Sequence, residues 1–466
     1  MTSANTGTGW REALASYRHP PVLAMLFLGF SAGLPFLLVF STLSAWLTME
    51  EVSRTAIGMF SWVGLTYSIK IFWAPVVDRL PLPLLTRLLG RRRSWMLLAQ
   101  TGIAGGLYLL STTEPGINLT LVAWLALLVA FSSATQDIVI DAWRIEAAPL
   151  PLQGAMAAAY QLGYRIALIV AGAGALAVAD AWSWPVAYVC MAACAGVGIL
   201  TTLVVREPEQ RVSRDTLNNE ARVIRFMEAN AHLPGPLRTA IGWFIGAVVC
   251  PFVDFFERNG LKLALIILCF VGLFRLTDIT MGVMANPFYL DMGYTLTEIA
   301  AVAKFYGVIM SIVGVMIGGV VVFRYGAMRI LIASGILVIL TNLSFASLAW
   351  LDSPGIGGLI VVISADNFSA GLAGTAFIAY LSSLTNTAYT ATQYALFSSL
   401  FTLPGKLLAG ASGWVVDSYG YPLFFLYTSA LGLPALLLII WLLRAMPAQV
   451  AAPNDADTDD RPRSAL

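Results

Sequence analysis

Nine ionisable residues interrupt runs that are otherwise apolar: Asp137, Asp141, Asp278 and Asp366 as acids, and Lys70, Arg165, Arg275, Lys304 and Lys406 as bases. A charge in such a run is costly to desolvate, so each is a candidate for an ion path, a proton relay or a buried partner. Five cations against four anions leave one positive charge in surplus, which favours an anionic cargo. Asp137 and Asp141 stand one helical turn apart on one face, with Gln136 beside the first. Asp137 reads as a cavity residue. Asp141 reads as part of a rim latch, because Arg144 follows at i+3 and Glu146 is close by, with Asp78 and Arg79 as further members.

Further along, Tyr160 and Tyr164 share a helix face, and Gln161 and Arg165 share another. Aromatic faces suit a sugar ring, and an amide with a guanidinium suits a carboxylate. Arg165 is equally suited to neutralising Asp137, since a paired buried charge is common. Arg275 and Asp278 lie at i,i+3 and could satisfy one another; Lys304, Lys406 and the Asp366–Asn367 pair sit on separate segments. Both histidines, His19 and His232, lie outside the apolar runs. Proton coupling would therefore fall to carboxylates, with Asp137 and Asp278 as the candidates.

The elements that must hold these residues are long apolar helices. The chain has 466 residues, 58% hydrophobic and 11% charged, where a soluble domain carries roughly a quarter charged. A helix needs about 20 mainly apolar residues to cross a bilayer. About twelve runs meet that need: Val22–Leu47, Ala56–Pro75, Trp95–Ser111, Leu119–Ala142, Gly154–Val178, Pro185–Val205, Leu261–Leu290, Ile299–Phe323, Ile330–Trp350, Gly355–Leu384, Tyr389–Val416 and Tyr421–Leu443. Of the 27 lysines and arginines, five lie in spans and Arg54 alone in an opposite-side loop; the rest share the side of the termini. That asymmetry predicts both termini in the cytoplasm. A further stretch, 239–256, carries Pro251 and ends in Asp254, Glu257 and Arg258, and reads as an interfacial helix. The expected fold is an all-α membrane protein of two six-helix halves. Its divisions are a cytoplasmic segment 1–20, a first half 21–205, a linker with the interfacial helix 206–259, a second half 260–444 and a disordered tail 445–466. The linker's Arg211, Arg214, Arg222 and Arg225, interleaved with acids, would accommodate rocking of the halves while meeting lipid headgroups.

Other chemistry is disfavoured. No phosphate-binding loop occurs, the nearest string being Leu403–Leu407 inside a span. Cys190, Cys194, Cys250 and Cys269 lack a companion ligand set, so neither a metal nor a cofactor is expected. Short loops without a catalytic set argue against an enzyme. A monomer bathed in lipid and without nucleic acid is the expected state.

Two resemblances follow from particular strings. Asp78–Arg79 with Gly90–Arg93, and Gly318–Gly319 with Arg324, Gly326 and Arg329, resemble the loop signature of the major facilitator superfamily, where a glycine lets helices approach and charges latch their cytoplasmic ends. The first copy carries an insertion and the second lacks the acid. Gly29–Pro35 (GFSAGLP), Gly90–Arg93 with Trp95, Ser133–Ala142 (SATQDIVIDA), Asp366–Asn367 with the following AGLAGTAFIAYLSSLTN, and Tyr389–Ala395 (YTATQYA) resemble the AmpG muropeptide permease family. The resemblance runs through all twelve spans in order. It implies proton-driven import of N-acetylglucosaminyl-1,6-anhydro-N-acetylmuramyl peptides for cell-wall recycling, feeding β-lactamase induction. It also implies that Gln136 and Asp137 lie near the transport path, and it draws attention to Gln393. Span ten departs from the family with Asp366 in place of a glutamate. A related branch moves acyl-coenzyme A, so another organic anion or a drug is the alternative cargo.

Overall fold

The computed structural model describes residues 9–53, 56–57, 60–208, 223–225, 228–230, 234–351 and 354–445. Arg54, most of the charged linker and the tail from 446 onward lie outside the described residues. Helices make up most of the described chain, and no strand occurs among the described residues. Nine helical runs among those residues are long and apolar enough to cross a membrane, including Pro20–Met49, Leu119–Ala147, Leu150–Ala181 and Ile356–Leu384.

The three spans that fall short of continuous apolar helix have visible causes. The second is broken into a 3₁₀ turn at Ser61–Gly64, a helix at Leu65–Ser68, a second 3₁₀ turn at Lys70–Phe72 and a helix at Ala74–Arg79. The third, Arg91–Ser111, is diluted by Gln100 and Thr101, and the eleventh, Thr390–Ala409, by Thr392, Gln393, Ser398, Ser399 and Lys406. The seventh is divided at Arg275, between Leu261–Phe274 and Leu276–Asp291. The helix Ser412–Ala445 bends at Gly420, whose φ of 76° only glycine adopts readily.

Packing within each half rests on backbone contact. A Cβ on Gly29 would collide with the Tyr160 carbonyl, one on Gly33 would meet the Tyr164 carbonyl, and one on Gly163 would strike the Leu26 carbonyl. Spans one and five therefore touch along their backbones. In the second half, Gly314 on Phe368 and Gly371 on Ser311 do the same for spans eight and ten. Small residues make such approaches possible where lipid gives no hydrophobic drive for helices to associate. Separate apolar cores form in the two halves, one around Leu38, Trp46 and Tyr188, another around Phe270, Phe377 and Phe397.

The end of the bundle where the first span begins gathers Arg91–Arg93, Arg144, Arg258 and Arg324, which makes it the basic end. Before the first span, the helix Trp10–Ala15 crosses under span eight of the other half. The Tyr17 hydroxyl donates to the Met316 carbonyl at 2.7 Å, and the Arg324 guanidinium lies 4.7 Å from the Trp10 ring centroid. The stretch expected to be interfacial is helical over Gly235–Phe244 and Cys250–Asn259 with a π turn between. It lies at the basic end, with Gly246 against Arg79 and Asp254 hydrogen-bonded to Asn386 at 3.0 Å.

Candidate functional site

Span four, Leu119–Ala147, presents Asp137 about two thirds of the way along it. One carboxylate oxygen, Oδ1, is buried without a hydrogen-bond partner. The charges acting on Asp137 are those of Lys70 and Asp141, and the phenols of Tyr67, Tyr160 and Tyr164 lie within its field. Lys70 is itself buried, 8% exposed, and is delivered by the 3₁₀ turn of the broken second span. Trp73 ties that break to span four, its Nε1 donating to Thr135 Oγ1 at 3.1 Å. The sequence shows Lys70 as a charge inside a span, but not the helix break that turns it toward two acids. Gln136 faces another way: its Oε1 accepts from Ser31 Oγ at 2.7 Å and its Nε2 donates to the Ser31 carbonyl at 3.0 Å. It locks span four to span one.

Span five carries the rest of the centre. The Tyr160 and Tyr164 rings stand 6.1 Å apart at 41°. Gln161 reaches across to the second half, donating from Nε2 to Thr375 Oγ1 at 2.9 Å. Arg165 makes no ion pair among the described residues, with Asp137 or otherwise; the charge that acts on it is Arg275. Arg275 in turn has Nε 3.5 Å from Asp278 Oδ2. Asp278 is the charge that acts on Asp366, while Asn367 Nδ2 is used inside its own helix, donating to the Ile363 carbonyl at 3.1 Å. Two groups result, Lys70 with Asp137 and Asp141 in the first half, and Arg165, Arg275, Asp278 and Asp366 where the halves meet.

Lys304 and Lys406 stand apart from both. Lys304 is exposed in a π-helical stretch, Ala300–Tyr306, and makes no ion pair among the described residues. Lys406 donates to Ser68 Oγ at 2.8 Å, joining span eleven to the broken span two. Gln393 lies at the basic end and not in the centre. Its Nε2 donates to Asp254 Oδ2 at 2.8 Å and to the Pro251 carbonyl at 2.9 Å, and its Oε1 accepts from Arg258 and from the Asn386 N–H.

The charged rim at the basic end centres on Arg92, which in the sequence is only one of three adjacent arginines. Arg92 is 1% exposed; its Nη2 meets Asp78 Oδ1 at 2.7 Å and its Nε meets Glu146 Oε2 at 3.0 Å. Asp78 Oδ2 accepts from the Thr392 N–H at 3.0 Å and from Thr392 Oγ1 at 2.9 Å, crossing to the other half. Burial alone would push the Asp78 carboxyl up, but Arg92, Arg91 and the Thr392 donor outweigh it and hold it below the usual carboxylate range. Arg144 pairs with Asp141 at 3.3 Å and donates to Ser382 Oγ at 2.7 Å, again across the halves. Arg79, expected among these ion pairs, makes none of them; its guanidinium lies 5.6 Å from the Tyr389 ring centroid, where the ring face supplies its counter-field. Glu207, after span six, accepts the N–H groups of Arg92 and Arg93 at 2.7 and 3.0 Å and so caps span three. Among the described residues no group of three or more His, Cys, Asp and Glu side chains could hold a metal.

The chain and its fold match known proteins. The family model described as Major Facilitator Superfamily matches residues 22–409. The putative transporter AmpG 4 of Rickettsia conorii is 35% identical over 419 residues, covering 89% of this chain and 94% of the relative. The anhydromuropeptide permease of Escherichia coli K12 is 33% identical over 431 residues, covering 92% of this chain and 81% of the relative. Among solved structures, the major facilitator proton:xylose symporter XylE superposes with a TM-score of 0.63 over 91% of this chain and 94% of its own, at 12% identity, and so speaks for the fold. The human organic anion transporter MFSD10 superposes with a TM-score of 0.56 over 93% of this chain and all of its own, at 16% identity. Matched along most of its length by both the family model and these relatives, the chain is a multi-pass membrane transporter that belongs to the AmpG permease family of the major facilitator superfamily.

Proposed function

We propose that this chain is a proton-coupled importer of anhydro-muropeptides, N-acetylglucosaminyl-1,6-anhydro-N-acetylmuramyl peptides, across the bacterial inner membrane. It carries them from periplasm to cytoplasm for peptidoglycan recycling and so feeds β-lactamase induction. The observation that carries this reading is the 33% identity to a protein named anhydromuropeptide permease over nine-tenths of this chain. The side chains at the centre support it. The Tyr160 and Tyr164 rings offer flat faces to sugar rings, Gln161 offers an amide, and Arg165 and Arg275 offer positive charge. With the basic end cytoplasmic, as the distribution of lysine and arginine favours, both termini are inside. Asp78, Arg92, Glu146, Asp141 and Arg144 then serve as the cytoplasmic gate, with Arg79 at its edge. The protein works as a monomer in contact with lipid.

Asp137 and Asp278 are the proton-carrying groups in this reading. Each has a cation acting on it, Lys70 and Arg275 respectively, so gaining a proton exchanges one favourable state for another. Purified protein in vesicles, given labelled anhydro-muropeptide under an inward proton gradient, accumulates the label, and a protonophore abolishes the accumulation. Asp137→Asn and Asp278→Asn each remove gradient-driven uptake while leaving downhill exchange. Uptake of another organic anion such as an acyl-coenzyme A, with no muropeptide uptake, would assign the chain to a different cargo.

A further inference from the structure

We propose that Arg165 and Arg275, one from each half, form a two-guanidinium clamp that binds a carboxylate of the cargo and draws the halves together on it. The proposal rests on the preceding reading only for the identity of that cargo. Arg165 sits in the body of span five; Arg275 sits at the break of span seven, with φ −94° and ψ 3°. Arg275 Nη1 and Gln161 Oε1, one helical turn before Arg165, both border Gly374, and the Arg275 charge acts on Arg165. Two like charges approaching across a joint of low dielectric repel, so unoccupied they oppose closure.

Their donors are also under-used. A guanidinium has five N–H donors and no acceptor. Arg165 has no ion pair among the described residues, and the Arg275 Nε is buried without a hydrogen-bond partner, its nearest carboxylate oxygen 3.5 Å away on Asp278. An anion between them reverses the sign of the interaction and satisfies both forks. Of the anions a glycopeptide can offer, a carboxylate is planar and matches the fork in a bidentate way.

A glycine of the second half keeps this place free of a further side chain. Gly374 of span ten faces the same place: a Cβ there would stand 3.0 Å from Gln161 Oε1 and 3.6 Å from Arg275 Nη1. Gln161 is fixed by its 2.9 Å bond to Thr375, the residue after Gly374, so the clamp lies beside an existing contact between the halves.

The test compares binding of labelled anhydro-muropeptide with that of its carboxyl-amidated form, on purified full-length protein and on the variants Arg165→Gln, Arg165→Lys and Arg275→Gln. For the unaltered protein, amidation weakens binding by about tenfold or more, the scale of a charge-assisted hydrogen-bonded contact. Arg165→Gln and Arg275→Gln bind both forms alike, and Arg165→Lys, keeping the charge without the fork, shows a reduced preference. Equal discrimination in Arg165→Gln and the unaltered protein overturns the clamp. Should that variant not fold, undiminished preference in Arg165→Lys does so instead. If the unaltered protein binds neither muropeptide, the muropeptide reading fails by itself. The clamp is then judged with N-acetyl-dialanine and its amide: thermal stabilisation by the acid alone, lost in Arg165→Gln, supports it, and equal effects of acid and amide overturn it.

Discussion

Arg92 shows what a single buried residue can hold. It joins Asp78 and Glu146, both nearly inaccessible to solvent, and Asp78 in turn holds Thr392 of the other half. Arg92→Met takes from two buried acids the ion-pair partner that is hydrogen-bonded to both, a change that costs about 3–5 kcal/mol. A thermal midpoint of purified Arg92→Met equal to that of the unaltered protein would contradict this. The pH response follows from the Asp78 carboxyl being held low. A carboxylate depressed by folding contributes fully above its unfolded value and loses that contribution as pH falls through the folded one. The Asp78 contacts with Arg92 and Thr392 therefore persist between neutrality and about pH 4, the ordinary aspartate value, and are lost only below it. Distances between spin labels placed beside Asp78 and Thr392 report this, and separation there between about pH 7 and 5 would be the wrong sign. The acids of this rim are legible in the sequence through their spacing near Arg144. Which of Arg91, Arg92 and Arg93 turns inward is not, because three adjacent residues on a helix point in three directions.

At the scale of the helix, the apolar runs identify most spans because length and composition are all that crossing a membrane demands. Breaks are not legible in the same way. Lys70 acts on Asp137 and Asp141 from a stretch where span two abandons the α-helix between Ile69 and Trp73, and Arg275 acts on Arg165 from the interruption of span seven. The motif around Gln393 draws it toward the transport path, yet its depth on span eleven puts it with Asp254 and Arg258. Glycine contacts give a sharp test of how the helices are held. Gly163→Ala forces a methyl against the Leu26 carbonyl and should destabilise by about 1–3 kcal/mol. Gly105→Ala, in span three with open space around it, should be neutral or stabilising by about 0.5–1 kcal/mol. Paired denaturation measurements on the two variants distinguish packing from a general intolerance of substitution.

For the whole molecule, the two halves are tied at the basic end by Asp78–Thr392, Arg144–Ser382 and Tyr17–Met316, and at the centre by Gln161–Thr375. Opening that end must break the first three together. Tyr17→Phe removes one hydroxyl donor and should favour opening by about 1 kcal/mol, several-fold in population. Reactivity of a cysteine placed at Ser382 toward a water-soluble maleimide should rise accordingly when Tyr17→Phe is introduced. Unchanged labelling would mean that the hydroxyl contributes nothing to closure.

The strap made by Trp10 to Tyr17 has a consequence for biogenesis. These residues leave the ribosome before the span that begins at Pro20, but Tyr17 and the carbonyl it binds are separated by 299 positions. At about 5–20 residues per second, the segment waits roughly 15–60 s for its seat to be synthesised. During that interval the exposed Trp10 and Leu14 side chains are open to chaperones or to the bilayer surface, so docking of Tyr17 reports that span eight, Gly307–Tyr325, is in place.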